Sequence, residues 1–231
     1  MNSTDSVKKK KKKRESNFLY DFVKITGVIP TAIWLRPKTI YAGKRPKIKG
    51  GFLIAANHIG LTDPVLVHFA FWRRRLHCIA TKDLFDTKTK NAFFNKMHCI
   101  MVDKENFNMS TFHTVCERLQ AEKAVVVFPE GGLNHNVNEL MSFKSGAILM
   151  AYKAQKPIVP MYIAPTRKWW NRHVMVVGEP MDINPEGKLL PSMEEVKQIN
   201  SKLQAKEMEL KTLYEEKILK KKREKKDECI C

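Results

Sequence analysis

No two of the five cysteines, Cys78, Cys99, Cys116, Cys229 and Cys231, form a C-x-x-C pair, and their number is odd. The pattern indicates neither a zinc ribbon nor a disulfide framework, and a reducing compartment is the simpler setting. A small-residue cleavage site is missing after the first apolar run, and residues 1–14 are polar and lysine-rich, so no cleavable signal peptide is expected. Nor is there an uninterrupted apolar stretch of the roughly 20 residues that a spanning helix needs. The nearest approach, NFLYDFVKITGVIPTAIWL at residues 17–35, is interrupted by Asp21, Lys24, Gly27 and Pro30. An interfacial amphipathic segment kinked at Pro30 is favoured over a spanning helix. Internal repeats are absent too. Residues 192–231 contain neither Gly nor Pro. They read as one long Glu/Lys/Leu-rich helix fraying into a basic tail, either a solvated surface element or a membrane-surface binder.

Acidic residues are also in short supply: 42 Lys and Arg stand against 24 Asp and Glu, a formal charge of +18. Such an excess implies an anionic partner. The basic residues gather at the ends, in residues 8–14 and in Lys217, residues 220–223, Lys225 and Lys226. Basic arms of this kind suit an anionic membrane surface or a nucleic acid. Against nucleic acid, the middle of the chain shows no recognition motif and no interleaved aromatic-basic sheet.

The middle of the chain alternates strand-length apolar runs (51–56, 76–81, 99–103, 124–128, 157–163 and 173–178) with helix-length segments near 63–73, 85–97, 107–122 and 143–154. At 231 residues one core is expected. The Val/Ile-rich runs between helices predict an α/β fold with a largely parallel central sheet covered by helices. An apolar, membrane-associated N-terminal helical segment precedes it and a charged C-terminal helix follows. The expected divisions are a basic leader at 1–16, the membrane-associated segment with an irregular Pro/Gly/Lys-rich connector at 17–50, a catalytic domain at 51–190, and the charged helix and tail at 191–231.

Three stretches carry chemistry. In AANHIGLTDPV, a buried strand ends at Asn57 and His58, and Asp63-Pro64 opens a helix, with Asp63 expected as N-cap and Pro64 at the first helical position. The intervening turn can bring His58 back to the Asp63 carboxylate, a pairing that fixes the imidazole tautomer and stabilises the imidazolium formed when His58 removes a proton. In VVVFPEGGLNH a strand runs into Pro129, Glu130 and two glycines, where backbone can approach a ligand beside a carboxylate. In FKSGAILMAYKAQKPIVPMYI a helical segment beginning near Lys144 leads into a strand that contains Pro160. His77-Cys78 and His98-Cys99 open apolar strands and read as core. Trp169-Trp170 among basic residues reads as a membrane contact or a packed rim, and Cys229-Ile230-Cys231 as a lipidation site or a chance ending.

Together, NHIGLTDP, FPEGG and FKSGA with KPIVPMYI resemble the blocks of the lysophospholipid (1-acylglycerol-3-phosphate) acyltransferase family, related to glycerol-3-phosphate acyltransferases. The resemblance covers roughly residues 51–164. It implies transfer of a fatty acyl group from acyl-CoA or acyl-carrier protein to a lysophospholipid hydroxyl, with 1-acylglycerol-3-phosphate as acceptor and phosphatidic acid as product. No metal or other cofactor is implied, and the expected setting is the cytoplasmic face of a membrane. His58 becomes the general base and Asp63 its partner. Lys104, in CIMVDKEN, falls where the family's second block has an Arg on the acceptor phosphate; Glu130 and Gly131 match the third block, and Val159 and Pro160 the last, as shapers of the pocket. The third block usually continues Thr-Arg-Ser, but here reads Gly132, Leu133 and Asn134. A lysine lacks the bidentate fork of arginine, so phosphate recognition is expected to be weaker, altered, or assisted by Lys82, Lys144 or His135. The alternatives are a catalytically altered lipid-binding relative and, more remotely, a basic nucleic-acid-binding protein.

Overall fold

The computed structural model describes residues 17–103, 109–136, 141–166 and 171–220. Seven strands form one sheet: β1 (Lys38–Tyr41), β2 (Phe52–Ala56), β3 (Leu76–Thr81), β4 (Ile100–Val102), β5 (Ala124–Val127), β6 (Ile158–Ile163) and β7 (Val174–Val177). Their spatial order is β1-β7-β6-β2-β5-β3-β4. Neighbours are parallel except β6 and β7. The helices are α1 (Phe18–Leu35), α2 (Asp63–Ala70), α3 (Lys88–Lys96), α4 (Met109–Gln120), α5 (Gly146–Ala154) and α6 (Met193–Tyr214).

The apolar runs are continuous because both faces of the sheet are covered. Side chains alternate across a strand, so Leu53 and Ala55 of β2 join a core built with α4, α5 and α6, while Phe52, Ile54 and Ala56 join one built with α1 and α2. The carboxyl ends of β2 to β6 share one edge, where open α/β sheets bind their ligands.

Three sequence expectations are revised. The connector after α1 is not irregular throughout: Lys38–Tyr41 pairs with β7 from Lys38↔Val174 to Tyr41↔Val177. This strand has a single neighbour, and flanking Lys and Pro residues hide its Thr-Ile-Tyr core. The C-terminal helix is not simply solvated, since Val196, Leu203 and Leu210 are buried and the helix packs on β6 and β7. Ser192 and Glu195 close its first turn with a reciprocal capping box. Val159 and Pro160 lie inside the sheet, both buried, and so act as packing residues rather than pocket walls. The basic leader, Trp169-Trp170 and the terminal cysteines lie outside the described residues.

Candidate active site

Strand β2 delivers Asn57 and His58 to the carboxyl edge of the sheet, and the chain then turns through Ile59, Gly60, Leu61 and Thr62 into α2. The helix starts one residue earlier than capping rules suggest: Thr62 is the N-cap and Asp63 the first helical residue. The Asp63 carboxylate is turned backwards. Its Oδ2 accepts hydrogen bonds from Ile59 N at 2.7 Å and Gly60 N at 2.8 Å, and lies 2.8 Å from His58 Nδ1. Asp63 is 1% exposed against 20% for the His58 side chain, so a buried carboxylate grips an accessible ring. With Nδ1–H directed at Asp63, the lone pair remains on Nε2. Phe128 stacks on the imidazole with ring centroids 4.2 Å apart, which fixes the ring plane from the β5 side.

The loop after β5 is tied to this turn. Asn134 N donates to His58 O at 2.7 Å, and Lys144 N donates to Pro129 O at 2.8 Å. Glu130 is buried and turned inward, and neither carboxylate oxygen reaches a hydrogen-bond donor in good geometry among the described residues. Burial pushes its pKa up to about 7, with the His58 and Met141 amides and the His58 charge offsetting part of the effect. Gly131 has φ +72°, and a Cβ there would lie 2.7 Å from Lys144 Nζ. Glycine thus serves two needs: left-handed backbone and room for the Lys144 side chain across it. Lys144 itself is exposed. Lys82 follows β3, two strands from β2 and so roughly 10 Å away along the sheet. Its Nζ is 3.8 Å from Asp103 Oδ2. Lys104 lies outside the described residues, and His135 is exposed beside Asn134.

Two further side chains brace this edge. Asn57 bridges β2 to the end of β6, with Nδ2 donating to Ile163 O at 3.0 Å and Oδ1 accepting from Ile163 N at 2.6 Å. Glu207 of α6 is fully buried beneath this edge, with neither carboxylate oxygen in a hydrogen bond among the described residues. Burial, then the nearby Glu130 carboxyl, raise its pKa well above the ordinary glutamate range, and the Asn57 amide opposes them.

Residues 36–164 match the model of the acyltransferase family. The 1-acyl-sn-glycerol-3-phosphate acyltransferase of Bacillus subtilis is 29% identical over 147 residues, covering 62% of this chain and 72% of that protein. The protein of the same name from Helicobacter pylori is 28% identical over 124 residues, and the match spans about half of each chain, 53% here and 52% there. Among solved structures, the 1-acyl-sn-glycerophosphate acyltransferase PlsC of Thermotoga maritima aligns with a TM-score of 0.60 at 21% identity, over 85% of this chain and 80% of that one, a likeness of fold.

Proposed function

This chain belongs to the acyltransferase family, and from that premise we propose that it moves a fatty acyl group from acyl-CoA or acyl-carrier protein to the hydroxyl of a lysophospholipid, 1-acylglycerol-3-phosphate foremost. The observation that carries the reading is the His58–Asp63 pair at 2.8 Å, with a buried carboxylate behind a partly exposed imidazole at the carboxyl edge of the sheet. His58 Nε2 takes the acceptor's hydroxyl proton as the oxygen attacks the thioester carbonyl. Asp63 stabilises the imidazolium. The tetrahedral oxyanion then collapses, the C–S bond breaks, and the departing thiolate takes the proton back from His58. Lys104, Lys82 and Lys144 are the cations we assign to the acceptor phosphate, while Glu130 and Gly131 shape the loop that carries Lys144. The names of the Bacillus subtilis and Helicobacter pylori relatives support the choice of acceptor.

The membrane reading rests on α1, an 18-residue apolar helix by length and composition. One of its faces is docked on the domain through Tyr20 and Leu35, and Phe18, Phe22, Ile25, Ile29 and Ile33 are exposed along the other. A helix held along its length by the domain lies in the plane of the leaflet.

The test is acyl transfer by the full chain, with labelled acyl-CoA and acyl-carrier protein assayed in parallel against a panel of lyso-acceptors. Transfer to 1-acylglycerol-3-phosphate is expected, and His58→Ala should lower turnover by about 10²–10⁴-fold without unfolding the protein. Near wild-type turnover in that variant would overturn the mechanism.

A further inference from the structure

At the end of the sheet opposite His58, a cavity of about 530 Å³ opens between the start of α1, the turn from α2 into β3 and the approach to β5. Lys24, Arg73, Arg74, Arg75 and Lys123 line it, with Asp21 and Glu122 as the acids. Both acids are engaged. Asp21 is held by Arg75 in a two-point contact at 2.7 and 2.9 Å, and Glu122 meets Lys156 at 2.7 Å. Arg74 and Lys24 direct donors to backbone carbonyls, Arg74 to those of Ile48, Gly50 and Glu122 and Lys24 to those of Trp72 and Arg74, so neither forms a direct ion pair through these bonds. Burial lowers the Arg74 pKa, and the nearby Glu122 charge offsets part of the effect. Arg73 and Lys123 project at the rim, exposed.

Lys24 also borders a second, apolar groove of about 190 Å³ between α1 and α2, with its Nζ 4.6 Å from the Trp72 ring centroid. Val23, Gly27 and Val28 form one wall of this groove and Val65, Phe69 and Trp72 the other. A cationic chamber and an apolar groove that meet at one lysine match the two halves of an amphiphile. We propose that this pair of cavities is a second lipid site, separate from the acyl-transfer centre, which holds an anionic phospholipid with its phosphate among Arg73, Arg74 and Lys123 and a chain between α1 and α2. The exposed Arg73 guanidinium fits a phosphodiester as a fork, Arg74 adds positive charge, and the groove shields the chain from water.

The test is calorimetric titration of the full chain with monomeric dihexanoyl phosphatidylglycerol, with dihexanoyl phosphatidylcholine and inorganic phosphate as comparisons. Phosphatidylglycerol should bind at least tenfold more tightly than either. Arg73→Gln with Lys123→Gln should weaken it at least tenfold. Gly27→Leu, at a helix position where a Cβ meets nothing within 4 Å, should fill the groove and weaken lipid binding about fivefold or more. Acyl transfer to detergent-dispersed acceptor should be unchanged in both variants, so this result and the test of His58 stand apart. Equal affinity for the two lipids, or indifference to the paired substitution, would overturn the proposal. Phosphate binding as tightly as the lipid would make the chamber a free-anion site and overturn it equally, as would displacement of the bound lipid by 1-acylglycerol-3-phosphate that persists in the paired variant.

Discussion

Glu207 and Glu130 are two carboxyls that the fold holds towards the neutral form, both pushed upward chiefly by burial. Between the ordinary glutamate range and the raised value, the folded state binds a proton that the unfolded chain has released, so stability falls as pH rises through that interval. For Glu130 the interval runs from 4.5 to about 7. Its upper bound is about 3.5 kcal/mol, at about 1.4 kcal/mol per unit. The denaturation midpoint of the wild type should therefore fall as pH is raised from about 5 to 7, and Glu207→Gln and Glu130→Gln should each flatten part of that fall. A Glu207→Gln profile with the wild-type slope would show that this carboxyl does not titrate there. The His58–Asp63 pairing was legible because Asp-Pro after a strand and a short turn leaves few conformations. The two backbone amides, of Ile59 and Gly60, that share the same Asp63 oxygen with His58 were not, since no side-chain letter announces a backbone donor. Glu207 sits in KEMELK, where its letter looks the same as that of the exposed Glu209. Its place on the stripe of Val196, Ile199, Leu203 and Leu210 was the available signal, an acid at a position where the helix period demands an apolar side chain. Within the proposed site, Lys104→Ala should raise the acceptor KM more than it lowers kcat, and only for phosphate-bearing acceptors. Equal effects on neutral acceptors would remove Lys104 from phosphate binding.

Among the elements, α1 shows how little an ion pair counts beside a buried hydroxyl. The fully buried Tyr20 Oη accepts from Leu76 N at 2.8 Å and lies 2.9 Å from His68 Nε2, so one side chain ties α1 to both β3 and α2. Losing this hydroxyl strands two buried groups, at about 1–3 kcal/mol. The Asp21–Arg75 pair has better geometry but is exposed on both sides, which limits it to about 1 kcal/mol or less. Denaturant titration should therefore show Tyr20→Phe as the more destabilising change and Asp21→Asn as the milder one; the reverse order would assign the docking of α1 to charge. The six principal strands were readable as short apolar runs because the sheet is covered on both faces, and α2, α4 and α5 because each buries a face and so repeats with a helix period; α3 buries no residue and was legible only as a helix-length segment between strands. Strand β1 escaped because its exposed edge allows the same residues found in loops, and only β7, far along the chain, makes it a strand.

For the whole molecule, the exposed side of α1 carries Phe18, Phe22, Ile25, Ile29 and Ile33 in one row. Burying one isoleucine is worth about 1.5–3 kcal/mol, so the double change Ile25→Glu and Ile29→Glu should lower partition onto vesicles at least about a hundredfold. Attraction through the basic ends instead fades with salt over a Debye length of about 10 Å at 0.1 M. Vesicle sedimentation across a salt series separates the two, and a double variant that still sediments like the wild type at high salt would refute the in-plane helix. The upper seat of α1 adds a question of timing. Leu35 O accepts from both the backbone and the ring of His173, 138 residues later in the chain. At roughly 5–20 residues per second of synthesis, that partner emerges on the order of ten seconds after the helix. During this interval the nascent α1 has its β3 and α2 contacts to acquire but no β7 to close on, and the growing polypeptide presents both sides of the helix to whatever bilayer lies beside the ribosome.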